Sequence, residues 1–256
     1  MANGRAVTAR PPLMQLRAVV FPFMSIPSPH SVLADLFQDP LTVVLVEQIM
    51  AMEPGTRLPS EREQAELLGV SRTALRDRLS RIESLGILER RMRAGTFVKR
   101  LSPTTVSEVL LLGILSAAMP LDSMRPVRVA LERQAACEAS RRHDHLNLAH
   151  MAIAVDTMDA TDDSAALHAA DLAFHTALFA ASGSPALVFL AEVLSGVMLR
   201  TVQQVALSDG RQTMRTLHRN IYAAIVEGDE AAASAAVDRH FDWLEELLAA
   251  PALPPE

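Results

Sequence analysis

The sequence has a single cysteine, Cys137, among its 256 residues. One thiol cannot form an internal disulfide, so a disulfide-stapled secreted framework is excluded and a reducing cytoplasm is expected. Aromatic residues make up only 4% and there are 10 glycines, whereas 50% of the residues are hydrophobic. That balance excludes overall disorder and favours helices over sheets. The apolar segments at 13–24 and 109–119 are too short or too interrupted to cross a bilayer, so we expect no membrane partner.

The length of the chain predicts two modest domains, each with enough residues for its own core. The fold class that the sequence predicts is mainly α: an N-terminal winged helix-turn-helix, with three helices and a β-hairpin, followed by an all-α helical bundle. The expected divisions are a disordered, proline-rich tail at 1–38, the winged domain at 39–100, a linker at 101–104, the bundle at 105–250 and a second tail at 251–256.

Two short helices joined by a tight turn are predicted between Ser60 and Leu85. Ser60 and Glu63 have the S-x-x-E spacing of a capping box, which satisfies free backbone amides at a helix start. Gly69 ends this helix where a left-handed cap is favoured, and Ser71 can cap a second helix. Two helices around such a turn form the helix-turn-helix pattern.

A β-hairpin is predicted after these helices, with strands at 88–91 and 96–99 paired around a turn. Such a hairpin forms a wing, and a helix that begins at Pro40 completes a three-helix domain. Between Arg57 and Arg100 there are 11 Lys and Arg against six Asp and Glu, a net charge of +5, whereas the whole chain has a net charge of −6. A basic module inside an acidic protein predicts a binding surface for a polyanion.

The start of the second helix has the side chains that a recognition helix offers to a major groove, because Arg72, Thr73 and Arg76 lie away from its apolar face. The stretch also resembles the winged helix-turn-helix of the GntR family of bacterial transcription regulators. The matching segments are PGTRLPSERE at 54–63, LGVSRT at 68–73 and GTFV at 95–98. The resemblance implies DNA contacts from five residues: Arg62, Ser71, Arg72, Thr73 and Arg76. In the wing, Arg93 stands where members commonly have glycine, and it can supply an electrostatic contact.

Behind the wing, helices are predicted near 122–141, 145–158, 164–182, 185–206, 211–227 and 229–249. Asp171 and His175 lie one turn apart on the apolar face of one helix, and His218 and His240 occupy inward positions on two others. An isolated inward histidine is usually a hydrogen-bonded core residue, but a buried, unpaired carboxylate is costly. Three histidines and one aspartate from three helices would resolve that cost by holding one metal ion. The remaining histidines of this part of the chain are predicted at the surface: His143, His145, His150 and His168.

This pattern resembles the FCD ligand-binding domain of the FadR-like branch of GntR regulators. The matching segments are VRVALE at 127–132, DLAFH at 171–175, LHRNI at 217–221 and RHF at 239–241. The resemblance implies that Asp171, His175, His218 and His240 hold a divalent metal ion, zinc first, with nickel or manganese as alternatives. It also implies that a small carboxylic acid binds beside the metal and pairs with Arg128. A homodimer that binds palindromic half-sites on double-stranded DNA is expected from the family.

The function expected from both halves is a cytoplasmic DNA-binding transcription regulator, a repressor that an organic-acid effector releases, and not an enzyme. One alternative is a metal-dependent hydrolase or oxygenase with an accessory DNA-binding module, since a carboxylate and histidines can support metal catalysis. No additional base is paired with the predicted site, which speaks against that alternative. A third possibility is a purely structural dimerisation bundle that holds no metal.

Overall fold

The computed structural model describes residues 28–202 and 210–249. These residues form eleven α-helices and one two-stranded antiparallel sheet, which confirms the predicted fold class. They divide into two compact units between Lys99 and Arg100. No helix in the described ranges is long and apolar enough to cross a membrane.

The first unit contains four helices and the sheet. Its elements are α1 (Pro29–Phe37), α2 (Pro40–Met50), α3 (Glu61–Leu68), α4 (Arg72–Ser84), β1 (Leu88–Arg91) and β2 (Gly95–Val98). The second unit is all-helical. Its elements are α5 (Pro103–Ser116), α6 (Arg125–Arg142), α7 (His145–Ala160), α8 (Ser164–Ala181), α9 (Pro185–Val202), α10 (Arg211–Glu227) and α11 (Glu230–Ala249), with a 3₁₀ turn at Leu121–Met124.

The helix boundaries of the winged unit follow from local capping chemistry. The capping box of Ser60 and Glu63 is present in both directions, and Gly69 takes the left-handed conformation that ends α3, at a φ of 65°. The hydroxyl of Ser71 accepts a hydrogen bond from the amide of Ala74 and so starts α4. The core beneath these helices consists of fully buried side chains from α2, α4 and the wing, among them Ile49, Leu75, Ile82, Leu88 and Val98.

The prediction of a disordered tail over residues 1–38 is wrong for the segment that forms α1. Ser28 caps this helix and Pro29 occupies its first turn, where proline is favoured because no amide donor is needed there. Leu33 and Phe37, one turn apart, pack against the core of the winged unit. The many prolines of the tail contributed to the expectation of disorder, although Pro29 starts the helix. Residues 1–27 and 250–256, including the predicted second tail, lie outside the described residues.

The predicted linker at 101–104 is too long, because Ser102 caps α5 and Pro103 is already its first residue. The six helices α6 to α11 begin and end within a few residues of their predicted bounds, apart from 203–206, which lie outside the described residues. Within this unit, α6 packs against α8, α10 and α11, and α10 packs against α11. Inward-facing polar side chains on these four helices therefore meet in one interior region.

Candidate metal centre and candidate nucleic-acid interface

The four predicted metal ligands come together inside the second unit. Helix α8 supplies Asp171 and His175, and Oδ1 of Asp171 lies 3.6 Å from Nε2 of His175. The same oxygen lies 3.0 Å from Nε2 of His218 on α10, and the two Nε2 atoms are 3.3 Å apart. From α11, the ring of His240 lies 4.6 Å from that of His218 and 5.2 Å from that of His175, measured between centroids. The ligand atoms of the three histidines lie within 4.8 Å of one another.

The Nδ1 atoms of His218 and His175 each lie close to an oxygen atom of a residue outside the predicted metal ligands. Nδ1 of His218 lies 2.8 Å from the carbonyl oxygen of Met214, which can only accept, so this nitrogen carries the proton. Nδ1 of His175 lies 2.9 Å from Oε2 of Glu132. This contact is an ion pair when the ring of His175 is protonated. A proton on each Nδ1 would leave Nε2 of both rings to act as a ligand when a cation takes the place of the proton there, which is how metal-binding histidines are oriented.

The spacing of these atoms fits a divalent ion. Tetrahedral zinc with Zn–N bonds of about 2.0–2.1 Å needs neighbouring ligand atoms roughly 3.3–3.4 Å apart. The separations among Asp171 Oδ1, His175 Nε2 and His218 Nε2 are 3.0, 3.3 and 3.6 Å, which bracket that value. Two lone pairs only 3.3 Å apart repel each other unless a proton or a cation lies between them. Three imidazoles and one carboxylate are also a donor set that zinc and nickel accept.

The electrostatics of the cluster keep its carboxylates charged. Burial raises the pKa of Asp171, but its contacts with His175 and His218 outweigh burial and hold that pKa well below 3.8. Burial lowers the pKa of His175, yet the charges of Glu132 and Asp171 outweigh it and raise that pKa to about 9. For His240, burial and the neighbouring His218 and His175 lower the pKa well below 6.5, so this ring is neutral, as a metal ligand must be.

Glu132 is a site residue to which the sequence analysis assigned no role. It is completely buried on α6, and its Oε1 accepts a hydrogen bond of 2.6 Å from Nε of Arg128 while its Oε2 contacts His175. Burial raises its pKa, but His175 and Arg128 outweigh burial and lower the pKa to about 2. The sequence contains a signal for this role: Arg128 and Glu132 are four residues apart, so they lie on one helix face, and a glutamate is rarely buried unless it is paired.

A cavity of about 600 Å³ opens beside the cluster, and Arg128, Asp171 and His175 line it together. His168 also lines this cavity, and its Nε2 is buried without a hydrogen-bond partner among the described residues. The prediction that His168 is a surface residue is therefore wrong. It lies three residues before Asp171, a spacing that places both on neighbouring parts of one helix surface. The predicted exposure of His143, His145 and His150 is confirmed.

The predicted DNA-contacting side chains lie on the surface of the winged unit. Arg62, Arg72 and Thr73 are exposed at the starts of α3 and α4. The hydroxyl of Ser71 is exposed as well, although it also caps α4. Arg76 is exposed and donates two hydrogen bonds to Oε2 of Glu61, of 3.0 and 2.8 Å. That contact lowers the pKa of Glu61, so the pair stays ionised in the free protein.

The wing carries Arg93 at the tip of its turn, exposed and in the left-handed region at a φ of 59°. Residues other than glycine pay a steric cost in that region, which explains why glycine is common at this position in the family that the sequence resembles. A basic cleft of about 360 Å³ lies next to the turn, and Arg57, Arg90 and Arg91 line it together with Arg93. From the sequence, no individual DNA contact was predicted for Arg57, Arg90 or Arg91.

Comparisons with known proteins agree with both units. Residues 44–98 match the family model described as bacterial regulatory proteins, gntR family, and residues 123–242 match the FCD domain. The HTH-type transcriptional regulator LutR of Bacillus subtilis is 29% identical over 204 residues, which cover 77% of this chain and 93% of LutR. The HTH-type transcriptional regulator Mce2R of Mycobacterium tuberculosis is 45% identical over 70 residues, 27% of this chain and 28% of Mce2R. In fold, a GntR protein of Streptococcus agalactiae has a TM-score of 0.58 at 23% identity, covering 85% of this chain and 99% of that one.

Proposed function

Because the chain belongs to the GntR family of bacterial transcription regulators and has an FCD domain, we propose that it is a metal-containing repressor whose DNA binding a small organic acid relieves. The chain is a transcription regulator with a DNA-binding winged domain, and its relatives are regulators and not enzymes. Four parts of this function are our proposal: the bound metal, the organic acid, the homodimer and repression as the direction of regulation. We also propose that the protein acts in the cytoplasm, where bacterial DNA lies.

One observation carries the proposal of a metal: Oδ1 of Asp171 and Nε2 of both His175 and His218 converge within 3.6 Å of one another. These residues, with His240, would hold zinc, with nickel or manganese as alternatives. A bound divalent ion would supply a positive charge and open coordination positions beside the cavity. The proton on Nδ1 of His218 leaves Nε2 of that ring to act as a ligand, which supports such an ion.

The cavity beside the cluster supports the proposal of an acidic effector. The guanidinium group of Arg128 uses its Nε–H to bind Glu132, and within the described parts of residues 28–195 and 210–247 its other four N–H donors have no hydrogen-bond acceptor. A carboxylate that bound Arg128 would also lie next to the metal, so two positive groups would attract it at once. Arg128 is therefore the residue to which we assign effector binding.

The positions of the proposed metal ligands suggest how effector binding would change DNA binding. The proposed metal ligands lie on α8, α10 and α11, so an acid that bound at the metal would act on three helices of the bundle together. A change in the bundle affects DNA affinity only if it alters how two winged domains of a homodimer fit their half-sites. Arg62, Ser71, Arg72, Thr73, Arg76 and Arg93 would contact that palindromic DNA.

A combined binding experiment tests the proposal on the purified full chain. Elemental analysis should find about one divalent ion per chain, and the His175→Ala variant should lose it. Fluorescence anisotropy with DNA from the region upstream of its own gene should show binding, which carboxylic acids weaken in the metal-loaded protein only. An absence of bound metal after zinc loading would overturn the metal site. An absence of DNA binding at low salt would overturn the choice of this DNA as the operator.

A further inference from the structure

The cavity beside the metal cluster is lined by polar and by apolar side chains. Arg128, Asp171 and His175 form its polar end, beside the proposed metal. Its apolar lining residues are Leu131, Leu172, Phe179, Val188, Ala191 and Leu194, with Thr176, Glu192 and Ser195 among them along α8 and α9. Phe179 lies near the end of α8 and Val188 near the start of α9, and a short turn joins the two helices. The lining therefore extends from the polar end to the neighbourhood of this turn.

The size of the cavity exceeds what a two- or three-carbon acid needs. Its volume of about 600 Å³ falls in the range of cavities that bury drug-sized ligands. Eight residues separate Asp171 from Phe179 on α8, which corresponds to about 12 Å along a helix. An acid held at Arg128 and the metal would have to extend over that length to cover the apolar lining residues.

The charges around the cavity indicate how many carboxylates the ligand has. The divalent ion and Arg128 are balanced by three carboxylates that line the same cavity, those of Asp171, Glu132 and Glu192. Glu192 is exposed, on α9. An effector with one carboxylate adds one negative charge to this balance, whereas a di- or tricarboxylate would also meet repulsion from Glu192 and Glu132.

We infer that the effector is a monocarboxylic acid with an extended apolar chain, which fills the cavity from Arg128 and the metal to Phe179 and Val188. This inference rests on the proposed function, because it assumes that the cavity holds a carboxylic acid. It adds the class of that acid: a medium-chain or arylalkyl monocarboxylate, not a short hydroxy acid or a tricarboxylate. The hydrophobic effect supplies most of the affinity, and the polar end fixes the orientation.

A chain-length series tests the inference. Isothermal titration of the zinc-loaded full chain would use acetate, butyrate, hexanoate and octanoate, with L-lactate and citrate for comparison. The affinity should rise roughly threefold to fourfold for each added methylene that becomes buried. Octanoate should then bind on the order of a hundredfold more tightly than butyrate. Octanoate should also release the DNA at a lower concentration than the other acids of the series.

Matched variants locate the binding surface. Leu172 is 41% exposed, so Leu172→Asn leaves the fold intact, and octanoate affinity should fall on the order of tenfold. Leu146→Asn on α7 is the control, since Leu146 is exposed and does not line the cavity; octanoate affinity should stay at the wild-type value.

Two outcomes separate this inference from the proposed function. If L-lactate or citrate binds and releases DNA while affinity does not rise from acetate to octanoate, the inference is overturned and the proposed function stands. If no carboxylate of either kind binds the zinc-loaded protein, both are overturned. Tight octanoate binding that Leu172→Asn leaves unchanged also overturns the inference, because the acid then lies outside this cavity.

Discussion

Nδ1 of His175 lies 2.9 Å from Oε2 of the buried Glu132, a contact between α8 and α6 that joins the metal cluster to Arg128. The glutamate orients the imidazole and makes its other nitrogen a better ligand, as second partners of metal-binding histidines do. Arg128 in turn neutralises the glutamate, so the proposed effector residue and the proposed metal ligand share one carboxylate. This three-residue chain connects the residue proposed to bind the acid with a residue proposed to bind the metal.

Replacing Glu132 by Gln tests that link. Glu132→Gln keeps the volume and an oxygen that can accept from Arg128 but removes the negative charge, so the affinity for zinc should fall about 10- to 100-fold. Competition with a chromophoric chelator measures the change. Glu138→Gln is the matched control, because Glu138 is a more exposed glutamate on the same helix that pairs with Arg141. Equal zinc affinity in Glu132→Gln and wild type would contradict the role of Glu132.

Removing the metal should destabilise the bundle. Zinc at the proposed site would bind only where the four ligands are assembled, so a free concentration about 100 times its dissociation constant should stabilise the folded chain by about 2.7 kcal/mol. A chelator should therefore lower the melting temperature that calorimetry records. His218→Ala should melt at one temperature with or without zinc. A chelator effect of equal size in His218→Ala would show that zinc acts elsewhere in the chain.

Replacing Arg93, which has a left-handed backbone conformation, by glycine should raise the stability of the winged unit and lower its affinity for DNA. Arg93→Gly relieves the steric cost at a φ of 59°, so the free energy of unfolding should rise by up to about 1 kcal/mol. The same change removes a positive charge, so DNA affinity should fall and the slope of log affinity against log salt should decrease by about 0.9.

Arg93→Lys is the control for this pair of effects, because it keeps both the charge and the strained conformation. Its stability and its salt slope should match those of the wild type. Chemical denaturation and anisotropy titrations at several salt concentrations measure the two quantities. An unchanged salt slope in Arg93→Gly would mean that the wing tip does not contact the phosphate backbone.

Asp39 gives the winged unit a pH-dependent contact between α2 and α4. Its Oδ2 accepts hydrogen bonds from the hydroxyl and the amide of Thr42, and one of 3.2 Å from Nε of Arg78. The hydrogen bond from the Thr42 hydroxyl contributes most, and together these contacts hold the pKa of Asp39 below 3.8, although burial opposes them. A carboxyl whose folded pKa is depressed stabilises the fold above its unfolded pKa, and that contribution is lost as the pH falls through the folded pKa.

The variant Asp39→Asn should therefore unfold more readily than the wild type at neutral pH, and the difference should shrink once the pH falls below 3.8. Asp39→Ala also loses the helix cap, which costs about 1 kcal/mol at every pH. Urea denaturation across this pH range, followed by circular dichroism, measures both differences. A gap between wild type and Asp39→Asn that widens on acidification would refute the assignment.

Local chemistry made much of this protein predictable from its sequence. The caps at Ser60 and Ser71 and the glycine turn at Gly69 depend on neighbours within four residues, so their spacing already determined the helix-turn-helix. Asp171 and His175 are one helical turn apart, so their shared face was also determined by the sequence. The inward positions of His218 and His240 followed from the apolar residues around them.

Other features were decided only by packing between distant residues. Glu132 and His175 are 43 positions apart, and only the packing of α6 against α8 brings their side chains together. His168 became a cavity residue because α9 lies beside α8, and α1 became part of the winged core because Leu33 and Phe37 meet side chains far along the chain. Contacts within one helical turn are set by residue spacing, whereas these contacts depend on how whole helices pack. Spacing therefore identified the proposed metal ligands, and tertiary packing decided what surrounds and supports them.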